Sequence, residues 1–245
     1  MTRDLAVLLV VTLSLLGTAL LADPLTVTDG YVGAQPTHSS YNGADVIGNS
    51  SVFDIAALQF FRNGDEWVFR VITPFPSHVG TPAAYGAILG DLFLSTDGWN
   101  PYGTAPYAGD NSTNGESWEY VLRRGDGGLA HLYQVLAGGI QLSDDYFDSS
   151  HYIFRAGQEV RYAPLNGQSA LKTGSWTGTA EYLEFRIDPT GTPLAGATQL
   201  GFHWTMSCGN DVIEGLVAVP EPGVLTLLAG GLLGVLAAGA RRAAR

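Results

Sequence analysis

The chain of 245 residues contains a single cysteine, Cys208. One thiol excludes an intramolecular disulfide, even in a protein that is exported to an oxidising compartment. It also excludes a lipoprotein anchor, because that cysteine would directly follow a signal peptide. We therefore expect Cys208 to be a buried, unreactive packing group.

Basic residues are scarce as well, with 12 Lys and Arg against 23 Asp and Glu and a net charge of −11. Such an acidic chain is unsuited to nucleic acid or to anionic lipid headgroups, so we expect no nucleic-acid partner. Clustered carboxylates would instead favour divalent cations such as calcium.

Familiar catalytic motifs are missing. The five histidines show no HxxxH or HxH spacing for a metal, and no GxSxG sequence is present. The pairs Glu116/Glu119 and Glu181/Glu184 are each three residues apart, which places their side chains on opposite faces of a strand. Neither pair could then flank one glycosidic bond. We therefore expect a protein without enzymatic activity.

Alternation of apolar and polar residues dominates between the two ends of the chain. An Asn63-Gly64-Asp65 turn joins two such segments and predicts a hairpin. About ten short strands separated by turn residues predict an all-β protein, with one β-sandwich domain of jelly-roll-like type over residues 23–218. The predicted strands are 57–62, 66–72, 87–95, 118–123, 129–136, 152–155, 159–163, 182–187, 200–207 and 212–217.

Two segments, 29–51 and 95–117, are too long and polar for tight turns, and long loops are often functional. The second segment supplies the candidate calcium ligands, because carboxylates on a Gly-rich loop suit a hard cation. These candidates are Asp91, Asp97, Asp110 and Glu116. The alternative is that Asp97 and Asp110 only form side-chain-to-backbone turns at strand ends.

Aromatic residues lie on or beside the same segment. Trp99, Tyr102 and Trp118 are candidates for stacking on sugar rings, as exposed aromatic side chains do in carbohydrate sites. The alternative is that these rings plug the ends of the core.

Both ends of the chain are apolar. Arg3 precedes the apolar stretch 5–21, which predicts a signal peptide over residues 1–22 with cleavage after Ala22. Near the other end, the apolar run 224–240 is just long enough to cross a bilayer as a helix. Arg241 and Arg242 follow it and would stay in the cytoplasm.

Pro220-Glu221-Pro222, the apolar run and the arginines stand in the order of a known signal. Residues 219–245 resemble the PEP-CTERM sorting signal of exported bacterial proteins. The resemblance implies processing by an exosortase in the inner membrane of a Gram-negative bacterium, and then delivery to the cell surface or extracellular matrix.

The segment 201–211, which includes Trp204-Thr205 and Cys208-Gly209-Asn210, is similar to one that precedes this signal in many such proteins. This second resemblance implies a recurring exported domain and supplies no catalytic residue. The resemblance to PEP-CTERM proteins implies a role with exopolysaccharide in biofilm. A structural or adhesive matrix protein is the first hypothesis. A calcium-assisted carbohydrate-binding module is the second, and a polysaccharide-acting enzyme is the third.

Overall fold

A computed structural model describes residues 23–220. The predicted signal peptide, the apolar run 224–240 and four residues of the sorting signal (Glu221, Pro222, Arg241 and Arg242) lie outside this range. Within it, no helix is long and apolar enough to cross a membrane.

The described residues are mostly β-structure, which confirms the all-β prediction. The strands are β1 (Leu25–Thr28), β2 (Ala57–Asn63), β3 (Glu66–Ile72), β4 (Leu92–Ser95), β5 (Tyr120–Arg124), β6 (Leu129–Gln134), β7 (Ile140–Leu142), β8 (Glu159–Tyr162), β9 (Lys172–Gly178), β10 (Tyr182–Ile187), β11 (Gln199–Thr205) and β12 (Val212–Ala218). One α-helical turn, α1, spans Ser50–Phe53. Short 3-10 turns occupy Ser39–Tyr41, Phe75–Ser77, Pro82–Ala84, Asp126–Gly128, Ser143–Asp145 and Pro193–Gly196.

Ten strands form one antiparallel sheet in the order β1-β2-β3-β10-β9-β6-β5-β4-β11-β12. The sheet nearly closes, because β1 lies against β12: a side chain at Gly215 would stand 2.9 Å from Val27 Cγ1. Strands β7 and β8 form a separate hairpin. This pairing differs from the two facing sheets of the expected sandwich, because strand spacing along a sequence does not specify strand order.

The β2–β3 hairpin was predicted from its turn. Gly64 adopts a φ of 65° there, which glycine reaches without a steric penalty. The register pairs Asn63 with Glu66 and Phe60 with Phe69. Cross-strand aromatic pairs of this kind stabilise the hairpin and contribute buried apolar area to the core.

Strand β11 is buried on both faces and separates two environments. Leu200, Phe202 and Trp204 lie in the main hydrophobic core. His203 and Thr205, on the opposite face, are fully buried polar residues. On this second side Phe93, Trp118, Val121 and Tyr162 form a smaller apolar cluster, with Tyr162 contributed by the β7–β8 hairpin. Trp99 packs against this smaller cluster and therefore lies on the same side of the sheet.

Candidate functional site

The connection from β4 to β5, residues 96–119, brings three carboxylates together. One oxygen from each of Asp97, Glu116 and Glu119 lies within 4.8 Å of the others. Three carboxylates at this separation are the ligand type that calcium prefers. We call this group the loop cluster.

Each member of the loop cluster is held by a short hydrogen bond from a neighbouring residue. Ser95 Oγ donates to Asp97 Oδ1 at 2.7 Å. The backbone N–H of Thr96 donates to Glu119 Oε2 at 2.8 Å, and that of Asn100 donates to Glu116 Oε2 at 2.6 Å. These contacts fix the carboxylates. Glu116 accepts through both oxygens, because the Ser117 N–H donates to its Oε1 at 3.1 Å, whereas Asp97 and Glu119 each use only one oxygen among the described residues.

The electrostatics of the loop cluster favour a cation. Burial raises the pKa of Glu116 and of Glu119, and the charge of Asp97 raises both further. Like charges held close together disfavour the ionised forms. A bound divalent ion would reduce this repulsion.

The loop cluster opens into a cleft of about 490 Å³, whose wall includes Trp99, Gln199 and Leu216. The Trp99 indole is half-buried, and its Nε1 donates to Glu214 Oε2 at 3.0 Å. The loop also contacts β11, because Gly98 O approaches Gly201 too closely for any side chain there. Gly98 itself has a φ of 139°, a conformation that favours glycine.

Of the four calcium candidates, the structure brings together Asp97 and Glu116. Asp91 is fully buried elsewhere, between β5 and β8. Its oxygens accept hydrogen bonds from the backbone N–H of Arg124 at 2.9 Å and of Tyr162 at 3.0 Å. Asp91 therefore joins two strands, and its oxygens are already used.

Asp110 is buried beneath the loop and does not line the cleft. Neither of its carboxylate oxygens has a hydrogen-bond partner among the described residues. Burial raises its pKa, and the nearby charge of Glu214 raises it further. Sequence proximity to Glu116 suggested a shared site, but the intervening turn directs Asp110 inward.

The three stacking candidates occupy different environments. Trp118 is buried against the His203 ring, with centroids 5.7 Å apart. The prediction that Trp118 stacks on a ligand is therefore wrong, because its ring is inaccessible. Trp99 packs edge-on against Tyr107, with ring centroids 5.4 Å apart, and also lines the cleft. Tyr102 is 55% exposed on the same loop.

No family model, curated protein or solved structure matches this chain. Its function is therefore inferred from the contacts of its own residues.

Sequence reasoning missed a buried polar cluster behind Trp99. His203 Nδ1 lies 2.9 Å from Glu214 Oε1, and His203 Nε2 lies 2.6 Å from the Glu159 backbone oxygen. His203 and Glu214 are directly opposite each other on β11 and β12. This contact could have been predicted from the sequence only if the register of the two strands had been known. Glu214 of this cluster accepts the hydrogen bond from Trp99 Nε1, and both His203 and Glu214 are buried.

A second acidic group was also missed, because its members are far apart in the sequence. Single oxygens of Asp29, Asp45 and Asp211 lie within 4.8 Å of one another. Burial, followed by the charges of Asp45 and Asp54, raises the pKa of Asp29 to about 7. Asp211 is fully buried and accepts a 2.6 Å hydrogen bond from the Ile55 N–H. Asp45 is the exposed member of this group, which we call the interior cluster after its buried member Asp211.

Proposed function

We propose that residues 23–218 form a calcium-assisted carbohydrate-binding domain, and that the protein is an adhesive component of an extracellular polysaccharide matrix. The observation that carries the proposal is the loop cluster of Asp97, Glu116 and Glu119 beside the Trp99 ring. A cation held by this cluster would have coordination positions left for ligand oxygens, because calcium takes six to eight. Sugar hydroxyls supply such oxygens.

The shape of the site also supports a polymeric ligand. The cleft is open and lies on a surface loop, where a chain of sugars can pass without burying its ends. Trp99 and the exposed Tyr102 present aromatic faces on the same loop. Aromatic faces bind the apolar side of sugar rings, while the cation binds their hydroxyls.

Export to the extracellular matrix is proposed from the sequences of the two termini. The signal peptide over residues 1–22 would direct the chain across the inner membrane. The PEP-CTERM signal over residues 219–245 would hold it there until an exosortase processes it. The partners are then the exosortase during sorting and exopolysaccharide afterwards, and no catalytic role is assigned to any residue.

The proposal predicts that calcium stabilises the protein. Extracellular calcium sites have dissociation constants of roughly 0.1–1 mM. At about 1 mM calcium, the free energy of unfolding would then rise by about 0.4–1.4 kcal/mol. Thermal melts should therefore shift upward by a few degrees between chelator and millimolar calcium.

Three variants identify the site. D97N removes a charge from the loop cluster and should abolish the shift. D65N, in the exposed β2–β3 turn, is the matched control and should keep it. D29N tests the interior cluster: a shift lost in D29N and kept in D97N would place calcium there and refute the loop site. Co-sedimentation with exopolysaccharide, with and without chelator, then tests carbohydrate binding by the same variants.

A further inference from the structure

A second concave site lies away from the cleft. It is a cavity of about 350 Å³, and it shares no lining residue with the cleft. Its apolar wall includes Ile47, Phe53 and Phe147, and its polar groups include Asn49, His151 and Asn210. Among residues 23–220, no Asp, Glu, Lys or Arg lines it.

The side chain of Asn210, at the wall of this cavity, has a buried oxygen without a hydrogen-bond partner. The residue is 7% exposed, and its Oδ1 has no partner among the described residues. Buried carbonyl oxygens are nearly always hydrogen-bonded, because leaving one unpaired is costly. A ligand that brings an O–H or N–H donor to this wall would satisfy the side chain.

The turn that carries Asn210 is rigidly built. Gly209 has a φ of 55°, and a side chain there would lie 2.8 Å from the Arg155 backbone oxygen. The Ile47 N–H donates to the Asn210 backbone oxygen at 2.7 Å. These contacts fix the Cys208-Gly209-Asn210 segment in place, so the sequence motif that resembles other exported proteins forms one side of the cavity.

Tyrosines surround the other side. Tyr85 is 66% exposed and Tyr152 is 46% exposed, although both line the cavity. Tyr85 also has a φ of 51°, in the left-handed region that side chains other than those of Gly, Asn and Asp rarely adopt. This conformation ends the 3-10 turn Pro82–Ala84, where the Tyr85 N–H donates to the Pro82 backbone oxygen, and it leaves the ring exposed at the cavity.

We propose that this cavity binds one neutral pyranose ring, independently of calcium. The exposed tyrosine faces would stack on the C–H face of the ring, and a ring hydroxyl would donate to Asn210 Oδ1. The volume fits a ligand at the small end of the usual range. A neutral sugar is favoured over a uronic acid because the lining offers no Lys or Arg to a carboxylate.

The experiment uses the full chain in a polyoxyethylene detergent without a sugar headgroup, and in EDTA so that no calcium-dependent site contributes. Saturation-transfer NMR is recorded with methyl glycosides of glucose, galactose and mannose, and with methyl glucuronide. We expect saturable binding of a neutral glycoside with a millimolar dissociation constant. Y85A and Y152A, both at exposed positions, should each weaken it about tenfold or more.

L129A is the control, because Leu129 is a large apolar side chain, 47% exposed, that lines neither the cavity nor the cleft, and it should leave binding unchanged. N210A should also abolish binding; if it does not fold, the two tyrosine variants decide. The proposal is overturned if no neutral glycoside binds saturably, if L129A weakens binding as much as Y85A, or if methyl glucuronide binds more tightly than the neutral glycosides. Failure of the calcium melts alone would leave it intact.

Discussion

Glu159 is a carboxylate buried beside His203 and Glu214, with 4% of the residue exposed. Burial raises its pKa from 4.5 to about 7, partly opposed by His203 and reinforced by Glu214. Burial would lower the pKa of His203, but the adjacent Glu214 carboxylate raises it overall. Glu159 therefore takes up a proton on folding whenever the pH lies between about 4.5 and 7.

The sign of the resulting pH dependence follows from that proton. A raised carboxyl pKa contributes stability that is fully present below 4.5 and is lost as pH rises to 7. The shift corresponds to about 3 kcal/mol, at 1.36 kcal/mol per pKa unit. E159Q should therefore raise the free energy of unfolding at pH 8 by up to about 3 kcal/mol, and change it little at pH 4.5.

Urea denaturation at the two pH values measures this difference. E181Q, at an exposed glutamate, is the matched control and should follow the parent chain. An E159Q variant that is no more stable than the parent at pH 8 would show that ionised Glu159 is accommodated by water or by its neighbours.

At this scale, sequence reasoning was limited by distance along the chain. Asp97 and Glu116 were predicted because a single loop carries both. Asp29 and Asp211 come together only after β1 has folded against β12, a contact that no local pattern encodes. Trp118 was assigned to a ligand because its burial depends on β11, which supplies His203 from a distant part of the sequence.

Among the elements, strands with strong alternation were predicted and strands without it were missed. β9 has a central place in the sheet, yet it contains Gly174, Gly178 and mostly small polar residues. Gly174 is required because the Arg186 backbone oxygen approaches too closely for a side chain. The residue pattern of β9 is therefore set by the close approach of two backbones and not by the burial of apolar side chains. Strands β1 and β7 were also missed, and residues 152–155 contribute only one bridge, Pro36 to Arg155.

A similar close approach at Gly90 gives a prediction for the packing of β8 against β11. A side chain at Gly90 would collide with the Thr205 backbone oxygen and lie 2.9 Å from that of Val160. G90A should therefore destabilise the protein by roughly 1–3 kcal/mol or more, because overpacking forces the strands apart.

G196A provides the comparison, since a side chain there meets no atom within 4 Å and Gly196 does not have a positive φ. Thermal melts should show a clear loss for G90A and little change for G196A. Equal stability of the two variants would mean that the segment carrying Gly90 can shift without cost.

For the whole molecule, the described domain ends where the proposed sorting signal begins. Arg62 Nη1 donates to the Pro220 backbone oxygen at 3.2 Å, so the chain leaves the sheet at a fixed point beside β2. If an exosortase reads the signal, E221A or the double variant R241A/R242A should accumulate unprocessed in the inner membrane.

Mass spectrometry of surface material and of inner membranes measures how much of each variant is processed and how much keeps its C-terminal residues. T226A changes the apolar run without altering the order of the three parts, and it should be processed like the parent chain. Recovery of surface protein that still carries residues 224–245 would contradict the processing step.

The position of the cleft relative to this exit point has a mechanical consequence. Gln199 lines the cleft and pairs with Ala218, the last residue of β12. A pull between a held polymer and the tail would thus act on the end of the β11–β12 ladder and open its hydrogen bonds one after another, not all together. If the domain binds a polymer and is held at its C-terminal end, as proposed, this stepwise opening would make the attachment yield at a lower force than simultaneous rupture of the whole ladder.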